Sequence, residues 1–175
     1  MDDESIIRGL KRGDAEAAEQ MMDVYGNRLL RAAWLLCRNE TEAQDLVQQT
    51  LLEAVRSAAR CRASSLLFTW LYGILLNLFR CYCRRQRLIS YTDNVPETPD
   101  DEAGQDDGLD KDMAGNIWQA LDKLSVEQRE VIVLRYYEGM NIREIAGCTG
   151  LSTGTVKSRL FYAICRLRKR FLKIN

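Results

Sequence analysis

The chain contains no histidine, and its six cysteines (Cys37, Cys61, Cys81, Cys83, Cys148 and Cys165) never fall at C-x-x-C spacing. The usual ligand sets for zinc are therefore missing. So is the side chain most often used to move protons near neutral pH. No glycine-rich phosphate loop and no nucleophile–base arrangement appears, so the sequence predicts no catalysis, no metal and no cofactor. Proline is nearly absent, with 2 residues in 175, which leaves long helices unbroken. Alternation of period 2 never persists, so no sheet is expected. The charged N-terminus lacks an apolar leader segment, and a cytoplasmic location with reduced thiols is expected. The longest uncharged stretch, 63–79, has 17 residues and includes Ser64, Ser65, Thr69 and Asn77. A membrane span wants about 20 predominantly apolar residues, so this reads as a core helix and no membrane insertion is expected.

Net charge is also absent, since 25 basic residues balance 25 acidic ones. The distribution is uneven. Residues 152–175 carry Lys157, Arg159, Arg166, Arg168, Lys169, Arg170 and Lys173 and no acid, whereas residues 93–112 carry nine acids against Lys111. The neutral sum conceals a basic tail and an acidic middle.

What is present is helical periodicity. Ile6, Ile7 and Leu10 mark a short first helix ending near Gly13. A second, from Ala15 to about Cys37, carries a stripe of Ala18, Met21, Met22, Tyr25, Leu29, Ala32, Ala33 and Leu36. Thr41-Glu42-Ala43-Gln44 has the form of a capping box opening a third helix, with Leu46, Val47, Leu51, Ala54 and Val55 as its apolar positions. A fourth is expected to begin near Ser64 or Ser65 and to end in the basic run 80–87. Residues 90–112 are rich in Asp, Glu, Pro and Gly and read as a flexible acidic linker. A second helical block follows, with capping boxes at Ser125/Gln128 and Asn141/Glu144 and a break at Gly139. The reading is all-α: two small helical domains, 1–89 and 113–175, joined by the linker 90–112.

The second block contains a helix-turn-helix from Asn141 to about Arg170. Ile142, Ile145 and Ala146 form one face of a short helix, Gly150 suits the turn, and Leu151 fills the corner. Ser152 caps a second helix whose inner side is Val156 and Leu160. Small polar residues and cations then face outward near its N-terminus, which is what a major groove accepts.

The segments Leu124-Ser125, Gln128-Arg129-Glu130-Val131-Ile132, Leu134-Arg135-Tyr136, Glu138-Gly139-Met140 and Thr155-Val156-Lys157-Ser158-Arg159-Leu160 together resemble region 4 of the sigma-70 family of bacterial RNA polymerase sigma factors. Ala43-Gln44-Asp45-Leu46-Val47-Gln48-Gln49-Thr50-Leu51 resembles region 2.2. Phe68-Thr69-Trp70-Leu71-Tyr72-Gly73-Ile74-Leu75-Leu76-Asn77 resembles regions 2.3 to 2.4. Both blocks in order, with only a tether between them, resemble the extracytoplasmic-function subfamily, which lacks region 3.

The resemblance implies a factor that binds core RNA polymerase through its beta-prime and beta subunits, recognises −35 and −10 promoter elements and promotes melting. By analogy it also implies an anti-sigma factor as partner. It places Asp45, Gln48 and Gln49 at the polymerase, with Gln49 standing where glutamate is common. It places Cys61, Arg62, Thr69, Asn77, Arg80, Arg84 and Arg85 at the −10 strand, with Phe68, Trp70, Tyr72, Phe79 and Tyr82 as the nearby aromatics. Ser152, Thr153, Gly154, Thr155, Lys157, Ser158, Arg159, Phe161 and Tyr162 fall at the −35 duplex. Cys61 and Ala63 depart from the aromatic and glycine common in that loop, and Tyr162 replaces a basic residue. Two other readings remain open at this point: a helix-turn-helix regulator acting on duplex DNA alone, and a sigma-like decoy that only sequesters a partner.

Overall fold

The computed structural model describes residues 3–61, 67–93 and 120–171, and among them every regular element is helical. Helix α1 (Asp3–Lys11) buries Ile6, Ile7 and Leu10. It crosses α2 (Ala15–Cys37) so closely that a methyl on Gly9 would meet the Ala17 Cβ at 2.5 Å. Asp14 caps α2 by accepting the Glu16 amide at 3.0 Å.

Helix α3 (Glu40–Ser57) starts earlier than the expected Thr41 box. Asn39, in extended backbone, accepts the Glu42 amide at 3.1 Å and is the cap. Asn is at least as good a cap as Thr, and the shift puts Glu40 at the positive end of the helix. A 3₁₀ turn, Ala58–Arg60, leads out of α3. Helix α4 (Leu67–Asp93) runs six residues past Arg87. Its expected start at Ser64 or Ser65 lies outside the described residues, as do Arg62, Ala63 and most of the acidic linker.

Leu29, Ala32, Ala33, Leu36, Ala43, Leu71, Leu75, Leu76 and Phe79 are essentially without solvent contact and form the centre of the first block. Burial of each such leucine contributes about 1.5–3 kcal/mol. Met22, expected in the α2 stripe, is 52% exposed instead.

In the second block, α5 (Val126–Ile132) opens with the expected capping box. It ends in a wide π turn, Val133–Tyr137, which periodicity did not reveal. This turn directs Tyr136 and Tyr137 outward and Glu138 inward. Gly139, at φ +70°, ends it. Helix α6 (Ile142–Thr149) has the Asn141/Glu144 box, and Gly150, at φ +71°, closes it. Helix α7 (Thr153–Phe171) follows.

The two blocks pack against each other. Helix α4 packs against α5 and α6, and α2 meets α5 and the π turn. Arg129 donates to the Leu36 carbonyl at 2.7 Å, satisfying a free carbonyl at the C-terminus of α2 from the other block.

Candidate nucleic-acid interface

Helix α7 separates its two sides cleanly. Val156, Leu160 and Ala163 are buried, while Ser152, Thr153, Gly154, Thr155, Lys157 and Ser158 are exposed. Ser152 Oγ accepts the Thr155 amide at 3.1 Å and lies 2.9 Å from the Thr155 hydroxyl. The Ser158 hydroxyl donates back to the Gly154 carbonyl at 3.0 Å. The start of the helix is thus small, polar and uncluttered. Arg159 is half-buried at the edge of this face and lies close enough to Glu127 and Glu130 to favour their charged forms. Phe161 and Tyr162 are each 63% exposed and meet edge to face at 5.6 Å. These nine expected residues therefore share one helix and its cap, and all reach solvent at least in part.

The α4 residues are more divided. Asn77, Arg84 and Arg85 are exposed, and an Arg84 N–H points to the Cys81 sulfur at 3.0 Å. Arg80 is half-buried and its guanidinium is committed to Glu130, at 2.8 and 2.7 Å, and to the Thr149 carbonyl at 3.4 Å. Thr69 packs on Gly147, and its carbonyl accepts the Cys148 thiol at 3.3 Å.

Three expectations change. Cys61 is buried within the core, so its side chain does not reach a strand. Tyr72 and Phe79 are also buried, because helical spacing turns them inward. Phe68 is half-buried, its ring 4.6 Å from the Tyr72 ring and tilted 53° to it, with the Arg28 guanidinium 4.0 Å over its face. Trp70 and Tyr82 remain half-exposed.

Helices α2 and α3 border an open cleft of about 380 Å³. Met22, Asp23, Asn27 and Leu30 line it from α2, and Gln44, Val47, Gln48 and Leu51 from α3. Of the three expected polymerase contacts, Gln48 lines the cleft, while Asp45 and Gln49 are exposed beside it. Asp23 and Asn27 were not singled out in the sequence, and Met22 was expected there only as a core position. Met22 leaves the core for the cleft edge, 52% exposed, which spacing alone did not reveal.

Three ion pairs cross between the blocks: Arg38 meets Asp122 at 3.5 Å, and two further pairs reach buried carboxylates. Arg80 meets Glu130, which has no exposed surface. Burial pushes the Glu130 carboxyl up, and the Arg80 hydrogen bonds only partly offset this. The same hydrogen bonds hold the Arg80 guanidinium above its ordinary value. Arg28 Nε meets Glu138 at 2.7 Å, with a further N–H on the Glu138 carbonyl at 3.1 Å. Burial, followed by the neighbouring Glu138, raises the Tyr72 hydroxyl well above its usual range.

The chain matches the model of sigma-70 region 2 over residues 21–89 and that of sigma-70 region 4 over residues 120–169. It is 33% identical to the ECF RNA polymerase sigma factor SigL of Mycobacterium tuberculosis over 93% of both chains. The chain belongs to the ECF branch of the sigma-70 family. It is also 30% identical to the RNA polymerase sigma factor SigV of Bacillus subtilis, over 82% of this chain and 84% of that one. Among solved structures it resembles the sigma factor RpoE of Bartonella quintana in complex with the anti-sigma factor NepR. The TM-score is 0.71 with 30% identity, covering 90% of this chain and 97% of that one. As an ECF sigma factor it recognises promoters for transcription initiation. No helix among the described residues is long and apolar enough to cross a membrane.

Proposed function

We propose a division of labour within this sigma factor. Residues 1–89 dock on core polymerase and hold the −10 strand, 90–112 are the tether, and 113–175 place the −35 duplex. The observation that carries this reading is the face of α7: Thr153, Gly154, Thr155, Lys157 and Ser158 stand exposed over a buried Val156 and Leu160. No acid occurs from 152 to 175. Lys157 and the hydroxyls supply phosphate and base-edge contacts. In the other module, Asn77 and the α4 arginines suit an unpaired strand, where cations track the backbone and a flipped base is held by polar groups.

The α2–α3 cleft, lined by Gln48, Gln44, Asp23 and Asn27 with Met22 and Leu51, is the docking surface for a helical element of core polymerase. It combines an apolar floor with a polar rim. The chain supplies position and charge and performs no bond chemistry. The Bartonella quintana relative, solved with an anti-sigma factor, supports a partner of the same kind here.

Permanganate footprinting of the holoenzyme on a promoter mapped by run-off transcription tests the division. Asn77→Ala should reduce thymine reactivity at the −10 element while protection of the −35 element persists. Loss of −35 protection with intact melting would overturn the assignment.

A further inference from the structure

We propose that Cys37 and Cys83 form a reversible dithiol site, which hydroperoxides convert to a disulfide within the first block. The inference stands apart from the division of labour given above, which uses neither sulfur.

The packing of α2 on α4 brings the two residues together. The Tyr25 and Phe68 rings lie 6.4 Å apart, and the Tyr72 hydroxyl meets the Arg28 carbonyl at 3.5 Å. The two helices are therefore parallel, and each position on α2 is level with the one about 43 to 44 further along the chain. This register sets Cys37, the last residue of α2, level with Arg80 and Cys81. Cys83 stands two to three residues beyond, roughly 3–4.5 Å along the axis at ~1.5 Å per residue. It continues the inward face of Tyr72, Leu76 and Phe79, and its side chain leans back towards the start of α4 and so towards Cys37. Helices packed about 8–10 Å apart, with Cα atoms about 2.3 Å from each axis, bring facing Cα atoms to roughly 5–7 Å at this offset. A disulfide spans about 4.4–6.8 Å between Cα atoms.

The neighbours agree with this placement. Arg129 donates to the carbonyl of Leu36, the residue before Cys37, at 2.7 Å, and its charge reaches both thiols. Cys37 in turn bears on Cys83 and on Tyr82 beside it. The other cysteines are placed differently. Cys61 and Cys148 are buried, and Cys165 belongs to α7 in the other block. Cys81 is exposed, and an Arg84 N–H points to its sulfur at 3.0 Å. Two residues from Cys83 on a helix, it faces the other way. Cys37 and Cys83 are half-exposed, packed on the core yet within reach of a small oxidant.

The chemistry needs only that oxidant. The Cys37 thiol donates to the Asn39 carbonyl at 3.2 Å, so its sulfur sits at the corner between α2 and α3. Burial pushes both thiols up, while Arg129 favours the thiolate that attacks. One sulfur attacks the O–O bond of the hydroperoxide, becomes a sulfenic acid and releases an alcohol. The second sulfur attacks the first, the S–O bond breaks, and hydroxide leaves with the second thiol's proton as water. Two thiols and one hydroperoxide thus give one disulfide, one alcohol and one water. The bond ties the α2–α3 corner to α4 directly before Arg84 and Arg85.

The test uses the full chain, reduced and then treated with hydrogen peroxide. Thiols counted in denaturant should fall from six to four, and dithiothreitol should restore six. Tryptic mapping without reductant should join peptides 32–38 and 81–84. The second peptide holds both Cys81 and Cys83, so Cys81→Ser assigns the sulfur. The cross-link should persist in Cys81→Ser and vanish in Cys37→Ala and in Cys83→Ala. The urea midpoint of oxidised Cys81→Ser should exceed that of its reduced form, because the bond closes a loop of roughly 45 residues in the unfolded chain.

Six thiols remaining after peroxide overturns the proposal. So does loss of the cross-link in Cys81→Ser, a disulfide found only between molecules, or thiols consumed as sulfinic acid without a bridge. A urea midpoint that falls on oxidation means the bond forms only by distorting the fold, and overturns the native juxtaposition. If Cys37→Ala or Cys83→Ala fails to fold, the peptide joined in Cys81→Ser decides by itself.

Discussion

The Cys148 thiol donates to the Thr69 carbonyl across 3.3 Å, tying the first helix of the helix-turn-helix to the start of α4. Burial pushes this thiol up to about 12 from an ordinary value of 9. Between those values the unfolded chain loses a proton that the folded chain keeps. The contribution is therefore fully present below pH 9 and lost as pH rises towards 12, with a slope of about 1.4 kcal/mol per unit. Buried Tyr25 and Tyr72 act in the same direction. Urea midpoints should fall between about pH 9 and pH 11, and Cys148→Ala should make that fall shallower. An unchanged slope would mean that the thiol is solvated.

Gly150 and Gly154 should respond oppositely to alanine. Gly150 sits at φ +71° with nothing within 4 Å of where a methyl would stand, so only its backbone conformation resists the change. Gly150→Ala should cost about 1–2 kcal/mol. Gly154 is within α7, where a methyl would meet only the Ser152 hydroxyl at 3.7 Å. Gly154→Ala should stabilise by about 0.5–1 kcal/mol while weakening −35 binding, if the helix start approaches the DNA backbone. Thermal melts and footprinting on the same variants separate the two effects.

Lys157 is exposed on the outer face of α7. As a phosphate contact, its replacement by alanine should weaken −35 duplex binding similarly across sequences and reduce the slope of log K against log salt by about 1. A sequence-dependent loss with an unchanged slope would instead assign it to a base edge.

Local features were legible in the sequence. The caps at Ser125, Asn141 and Ser152, the turn glycine at 150 and the inner side of α7 each follow from a few neighbouring residues, and each stands where expected. Cap competition was less legible: Asn39 and Thr41 are both competent, and only the backbone decides between them. The contacts between blocks were not legible at all. Arg80 and Glu130 are 50 residues apart and Arg28 and Glu138 are 110 apart, so no periodicity relates them. The remaining clue was a glutamate in the apolar run at 130–134, which demanded a buried cation from somewhere. The strand face suffered most, because spacing alone cannot tell that Tyr72 and Phe79 turn inward while Asn77 turns out.

Gln48 lines the α2–α3 cleft, and Asp45 does not. Gln48→Arg should weaken binding to core polymerase by tenfold or more, by placing a bulky charge at the cleft wall, while Asp45→Ala has a smaller effect. Both positions are exposed, so folding stability should change by less than about 0.5 kcal/mol. Competition for core polymerase against a labelled sigma factor measures this, and a larger loss from Asp45→Ala would move the docking surface away from the cleft.

Two modules directing core RNA polymerase to promoters should leave one direct signature. Multi-round run-off transcription of genomic DNA fragments, by purified core polymerase with and without the chain, reads it. Discrete transcripts should appear only when the chain is present, should start at fixed sites, and should be lost when the α7 face is disabled by Lys157→Glu together with Arg159→Glu. Polymerase binding without any chain-dependent start site would contradict the proposed role.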